Sequence, residues 1–382
     1  MKLNHIYKSI ACGVLLAMTA TSCDLDYNPV DTYSDVTEGV NKTDEKPIFN
    51  SVQDVETSMV TLHKKFRDQQ EHWYVDKLLI GDAHSDNAYA GTTGAEVVPY
   101  ETNSIEGSNS VLKRDWDRFL GDIAVANRII VGCDQLKALS ESERGKYQSQ
   151  AKIFRAMVMF DMVRLWGNFP VITTVGGDIT EDNVEEMYPT YFPPQNTAEE
   201  AYAQIEKDLT EAVENPNTPT NDTSDKSILT KSVARAMLAK VYAEKPLRDY
   251  AKVIKYADEL AADGFDLVED FSDLWAYDTE KKDCRVRNTK EAILEAHFPP
   301  GSGNWCTWMF GRNLSNWDES FTWAKWITPS RDLIRLYEEQ GDTKRYNESV
   351  VWYDCGWSNY YPADHYAFMY KCRSAFNSIL YL

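Results

Sequence analysis

Positive charge is what this chain of 382 residues lacks most: 40 Lys and Arg stand against 60 Asp and Glu, a formal net charge of −20. A field of that sign repels nucleic acid and anionic head groups, which excludes a nucleic-acid partner and suits a neutral ligand. Cysteine is sparse and irregular. The five beyond Cys23 (Cys133, Cys284, Cys306, Cys355 and Cys372) are 151, 22, 49 and 17 residues apart with no CxxC, which fits no zinc pattern. Exported proteins can hold disulfides, so Cys284–Cys306 and Cys355–Cys372 stay open as pairs, but a few buried free thiols is the simpler reading. Long apolar runs are missing as well: the one at 10–20 is too short to cross a bilayer as a permanent helix. There is no GxSxG elbow, HExxH pair, P-loop or GxGxxG. With 60 acids, some carboxylate pair will mimic a glycosidase dyad by chance, so such a pair carries no information. His84 and Asp86 sit two apart, yet a lone His in a polar stretch reads as solvated. No catalytic residues, no metal and no cofactor are expected.

What the chain does have is flat rings. Its 11 Trp and 22 Tyr exceed ordinary core filling, and both side chains offer an apolar face with a polar tip. It also has an export signal at 1–22: Lys2 and Lys8 flank the apolar stretch, and Ala20-Thr21-Ser22 forms a small-residue site before Cys23. The polar, acidic Asp24-Leu25-Asp26-Tyr27-Asn28-Pro29 follows, the pattern of a bacterial lipoprotein signal with Cys23 acylated, although Ala20 stands where Leu is usual. Stable anchoring needs two or more acyl chains. Residues 23–50 then read as a lipidated tether.

Helical periodicity starts at Ser51, with Asp54 in the capping-box position and Val52, Val55, Met59, Leu62 and Phe66 on one face. Residues 81–110 carry Gly, Ser, Asn and Thr without period and read as a long loop, a feature uncommon unless functional. A second helix carries Trp116, Phe119, Leu120, Ile123, Ile129 and Ile130. A third, about 142–166, is apolar on most sides and should be enclosed by neighbours. The fourth starts at Thr197 with Glu200 three residues on. A fifth and sixth, about 230–244 and 247–262, are short helices with a brief break, the economy of a tetratricopeptide-like repeat. The expected fold is mostly α: a tetratricopeptide-like helical repeat array over 51–265, then a loop-rich ligand-binding portion over 266–382 with a further helix at 329–340.

Five Trp (305, 308, 317, 323 and 326) fall within 22 residues, together with Phe310, Phe321 and Arg312. Their spacings of 3, 9, 6 and 3, interleaved with Gly and Asn, fit neither a helix nor a strand facing a core. Sugar rings present apolar CH faces that lie flat on indoles, while Asn, Asp and Arg bond hydroxyls. Trp305, Trp308 and Arg312 are therefore candidate glycan contacts, with Asp86, Asn87 and Tyr89 of the earlier loop beside them; Trp323 and Trp326, next to the helix at 329, read as structural. The alternative is a helical-repeat surface protein that binds peptides or a protein partner, with the aromatic loop as hot spot. A glycan site has isolated rings among polar groups, and a partner site has a broad apolar patch. The Asn and Gly content of this loop matches the first.

Several segments resemble the RagB/SusD family of nutrient-uptake outer-membrane lipoproteins, in the family's order. They are Cys23 with Leu25-Asp26 and Pro29; residues 124–130 (AVANRII); and 151–170, above all Phe154-Arg155-Ala156 and Arg164-Leu165-Trp166-Gly167-Asn168-Phe169-Pro170. Then follow Ile205-Glu206-Lys207-Asp208-Leu209, residues 230–234 and 238–242, Pro329-Ser330, and Gly341-Asp342-Thr343-Lys344-Arg345. The resemblance implies a SusD-like helical fold, a surface glycan ligand, and a partner in a SusC-like TonB-dependent transporter of the outer membrane. Arg155 and Arg164 read as structural partners for acids on adjacent helices. Family members usually run on past this length, and the apolar end Ile379-Leu380-Tyr381-Leu382 reads as a truncation.

Overall fold

Ser51 opens the first helix of the computed structural model as its sequence requires. The Ser51 hydroxyl accepts from the Asp54 N–H at 3.3 Å and the Asp54 carboxylate accepts from the Ser51 N–H at 3.0 Å. This reciprocal cap satisfies donors that the first turn would leave orphaned. Helix α1 (Val52–Asp68) then buries Val55, Met59, Leu62 and Phe66. The structure describes residues 47–90, 96–298 apart from 178, 180, 182, 275, 276, 279, 281 and 282, then 327–353, 366–369 and 380–381. By internal contacts the chain divides into units 1–47 and 48–382, and the second is the subject here.

After α1 the backbone widens into two π-helical turns, Glu71–Val75 and Leu79–Ala83, around a single helical turn Asp76–Leu78. The widening carries Trp73 into the centre of the core, with ring centroids 5.3 Å from Phe66, 6.2 Å from Phe119 and 5.4 Å from Phe154. Asp122, fully buried, accepts from the Trp73 indole at 3.1 Å, contacts His72 Nε2 at 2.8 Å and pairs with Lys65 at 3.3 Å. Expectation and structure part here. The stretch 81–110, read as a continuous loop, holds the end of a π turn, strand β1 (Ala88–Ala90) and helix α2 (Val98–Glu101). Strands of three residues and helices of four are too short to imprint a period.

Two long helices follow, α3 (Ser110–Gln135) and α4 (Glu141–Trp166). The middle of α4 is buried on nearly every side, as its composition foretold, and Gly167 ends it at φ 72°, where a side chain would be strained. Beyond an excursion that holds the short helix α5 (Val184–Met187), α6 (Ala198–Glu214) starts at the expected Thr197–Glu200 capping box. Helices α7 (Lys231–Ala243) and α8 (Tyr250–Ala262) complete an array in which α1 packs on α3, α3 on α4, α4 on α6, α6 on α7 and α7 on α8. This is a mostly helical, tetratricopeptide-like array. The break before α8 is longer than expected, and the apolar Tyr250 and Ile254 are exposed; only Tyr256 of α8 is buried.

The remainder is loop-rich. Strands β2 (Tyr277–Asp278) and β3 (Asp283–Cys284) pair with each other, and β4 (Glu295–Ala296) pairs with β8 (Leu380–Tyr381). Strand β5 (Ile327–Pro329) pairs with β1, and β6 (Val350–Tyr353) with β7 (Tyr366–Met369), all antiparallel. Between β5 and β6 lie α9 (Arg331–Gln340) and α10 (Thr343–Ser349). The helix expected from 329 thus starts at Arg331, because Ser330 is its cap and Pro329 belongs to the strand.

Candidate functional site

The β1–β5 ribbon positions the candidates Asp86, Asn87 and Tyr89. Its register sets Ala88 opposite Pro329, Tyr89 opposite Thr328 and Ala90 opposite Ile327. Ala88, Ala90, Ile327 and Thr328 are all buried, so the ribbon is part of the core rather than a surface flap. Ser330 ties its two ends together: its N–H donates to the Asn87 carbonyl at 2.9 Å, and its hydroxyl donates to the Asp86 carbonyl. The same hydroxyl accepts from the Leu333 N–H at 3.0 Å and caps α9. On the other edge the Ala90 N–H donates to the Glu101 carboxylate at 2.7 Å.

The three candidates of this segment divide into two kinds. Asp86 and Asn87 spend their backbone carbonyls on Ser330, while the residues themselves are exposed at the head of the ribbon. The Asn87 side chain hydrogen-bonds Asp82, whose carboxyl is pushed up by burial and partly held down by that amide. Tyr89, half-buried, lies in the strand, and its hydroxyl accepts from the Arg331 N–H at 3.2 Å. That corrects the picture of Tyr89 as a loop residue: its hydroxyl fixes the start of α9. Arg331 and Glu101, which with Ser330 hold the candidates in place, carry no sequence signal, and Ser330 carries only that of the Pro329-Ser330 segment.

Trp305, Trp308 and Arg312 lie outside the described residues, as does Cys23. The segment that contains the three, 299–326, rejoins the described fold at Ile327, directly opposite Ala90. The ribbon thus joins residues 88–90 to residues 327–329, although they are far apart in sequence.

Electrostatically the surroundings are acidic and firmly paired. Asp115, buried beside Asp76 and the Arg114 guanidinium, is pushed up to about 9 by desolvation and by the Asp76 charge. Arg114 pairs with Asp76, and Arg118 with Glu71 at 2.9 Å. Farther off, α1 and β4 flank a cleft of about 400 Å³ lined by His63, Lys64, Phe66, Ile228, Glu295 and His297 among others, none of them a candidate residue. The buried Glu295 there is engaged by His297 Nε2 at 2.8 Å and the Asn288 N–H at 3.1 Å. Among the described residues no group of three or more His, Cys, Asp or Glu can hold a metal ion, and no helix is long and apolar enough to cross a membrane.

Arg155 and Arg164 are structural partners of acids. Arg155 grips Asp208 of α6 through two 2.7 Å bonds, and Arg164 meets Glu244, the residue that ends α7, at 3.0 Å.

Residues 32–243, more than half of the chain, match the SusD-like family, described as starch-binding and associating with the outer membrane. A SusD-like protein of Bacteroides ovatus is 25% identical over 309 residues, which cover 78% of this chain and 50% of that protein. The chain thus spans about half the length of that relative. Among solved structures, a laminarin-binding SusD-like protein superposes with a TM-score of 0.65 at 20% identity, covering 87% of this chain and 78% of the other. Surface glycan-binding protein A from Bacteroides fluxus gives 0.65 at 20% identity, covering 85% and 69%.

Proposed function

Because the chain belongs to the SusD-like family, we propose that it is a surface lipoprotein that captures a neutral oligosaccharide and passes it to a SusC-like TonB-dependent outer-membrane transporter. It is a binding protein, not an enzyme. Cys23 carries the acyl anchor, and the tether that begins there holds the body to the outer membrane. Trp305 and Trp308 form the stacking platform, with Arg312, Asn87 and Asp86 bonding hydroxyls and Tyr89 at the platform's base.

The observation that carries this reading is the β1–β5 register. It makes exposed Asp86 and Asn87 neighbours of the strand into which the Trp-rich segment runs. It supports reading the two distant stretches as parts of one site, since ligand pockets combine an apolar lining with a few placed polar groups. The net charge of −20 selects against acidic glycans. The laminarin-binding neighbour supports a neutral glucan as the first ligand to try.

The test is a binding screen of the purified mature protein against immobilised neutral glucans, laminarin among them, with polygalacturonate and heparin as anionic controls. Retention on at least one neutral glycan and none on the anionic ones is expected. Retention on the anionic polymers alone, or on no glycan, overturns the proposal.

A further inference from the structure

The excursion between α4 and α6 carries a feature unlike the rest of the described surface. Tyr188, Tyr191 and Phe192 are 55%, 49% and 66% exposed and lie within five residues, whereas Tyr250 is exposed singly and Trp73, Tyr100, Phe119 and Phe154 are fully buried. Helix α5 runs directly into a 3₁₀ turn, Tyr188–Tyr191, which sets Tyr188 and Tyr191 on one side at i and i+3, with Phe192 immediately after.

The rings are also held. The Tyr191 hydroxyl donates to the Gly177 carbonyl at 2.6 Å. Its ring edge lies against Gly176, where an added Cβ would sit 3.3 Å from both Cζ and the hydroxyl oxygen. A Cβ on Gly177 would meet the Met187 methyl at 2.9 Å. The Gly176-Gly177 backbone is thus a bed on which Tyr191 and Met187 rest. Tyr188 and Phe192 brace each other, with centroids 5.0 Å apart and planes at 47°. Rings fixed in this way lose little freedom when a ligand settles on them.

Beside them, the carboxylates of Glu185 and Glu186 are exposed and make no ion pair or side-chain hydrogen bond with a described residue. Carboxylates only accept hydrogen bonds. Ring faces next to free acceptors match a sugar, whose CH faces stack while its hydroxyls donate. The acids repel anionic polymers. Of the five large apolar residues exposed in this excursion among the described residues, Ile179, Val184, Tyr188, Tyr191 and Phe192, three are rings set beside free carboxylates, the mixture that a sugar calls for.

We propose that Tyr188, Tyr191 and Phe192 form a second sugar-stacking platform, which engages another stretch of the same neutral glycan chain. The inference rests on the glycan-binding reading above. Two platforms on one chain convert the second contact into an intramolecular event, so they favour long glycans over short ones.

The experiment compares the wild-type mature protein with Phe192→Ser and with Tyr191→Ala/Phe192→Ala, titrating each with a neutral trisaccharide and with the parent polysaccharide. Phe192 is so exposed that its single variant keeps the fold, and equal melting temperatures verify this. Wild type is expected to bind the polysaccharide at least tenfold tighter per chain than the trisaccharide. The double variant should lose about tenfold on the polysaccharide and nothing on the trisaccharide. Polysaccharide binding unchanged in both variants overturns the second platform and leaves the primary site standing. Equal losses on both ligands also overturn it, since the rings then belong to one site. Absence of any glycan binding by the wild type overturns the functional reading itself.

Discussion

Replacing Arg155 tests what holds the helical array together. Its guanidinium is buried among α3, α4 and α6: Nε and one terminal nitrogen each donate at 2.7 Å to Asp208, and the other terminal nitrogen donates at 2.7 Å to the Asn127 side-chain oxygen. Asn127 in turn donates to the carbonyls of Ile172 and Thr174 at 2.9 and 3.2 Å, so one network also ties down the chain after α4. Arg155→Ala removes three charge-assisted bonds and strands the Asp208 carboxylate, which keeps only the Gln204 amide at 2.9 Å among its side-chain donors. Burial already pushes the Asp208 carboxyl up and Arg155 opposes that push, so the variant drives it higher still. Breaking a buried pair from one side costs about 3–5 kcal/mol, whereas replacing both partners by apolar groups of similar size is often neutral. Urea unfolding, followed by circular dichroism, should therefore show a large loss for Arg155→Ala and recovery of most of it in Arg155→Met/Asp208→Leu. A loss below about 1 kcal/mol for Arg155→Ala refutes the reasoning, because an uncompensated buried carboxylate cannot be that cheap.

Asp115 gives a pH dependence: its folded pKa of about 9 lies above the unfolded value, so its contribution is complete in acid and falls as pH rises through that window. Each pH unit removes at most about 1.4 kcal/mol, the limit for one proton, and Asp115→Asn should flatten the profile of melting temperature between pH 6 and 9. Ser330→Ala loses the cap of α9 and the hydroxyl bond to Asp86, a destabilisation of about 1–2 kcal/mol by thermal unfolding, and a weaker affinity for glycan as the ribbon loosens. Cys23→Ala should move the protein from the outer-membrane fraction to a soluble one without changing its melting temperature; retention in the membrane counts against the anchor.

The parts of the fold that were legible in the sequence are those that local chemistry decides. Ser51 with Asp54 and Thr197 with Glu200 announce helix starts because the cap is made within four residues. Arg155 is readable as a structural pair, since a cation within the apolar middle of a helix needs an acid nearby. Tyr250 and Ile254 show the limit: period reveals that a helix has an apolar face, but not whether anything covers it. The π turns around Asp76 escaped because five-residue stretches impose no repeat. The β1–β5 ribbon escaped because its strands have three residues each and lie far apart in the chain. Asp86 and Asn87 are therefore legible as polar loop residues but not the ribbon that explains their place, and Tyr89 is legible without its bond to Arg331. The Tyr188-Pro189-Thr190-Tyr191-Phe192 run carries a usable signal in its closely spaced rings downstream of a Gly-Gly pair.

The claim that this chain holds a glycan on rings is tested most directly by calorimetric titration of Trp305→Ala and Trp308→Ala with the neutral glycan that the wild type binds, alongside Trp326→Ala as the structural control. Removing one stacking ring should cost on the order of 2 kcal/mol of binding, roughly thirtyfold in affinity, with melting temperatures close to wild type. Wild-type affinity in both loop variants, or unfolding like that of Trp326→Ala, contradicts it.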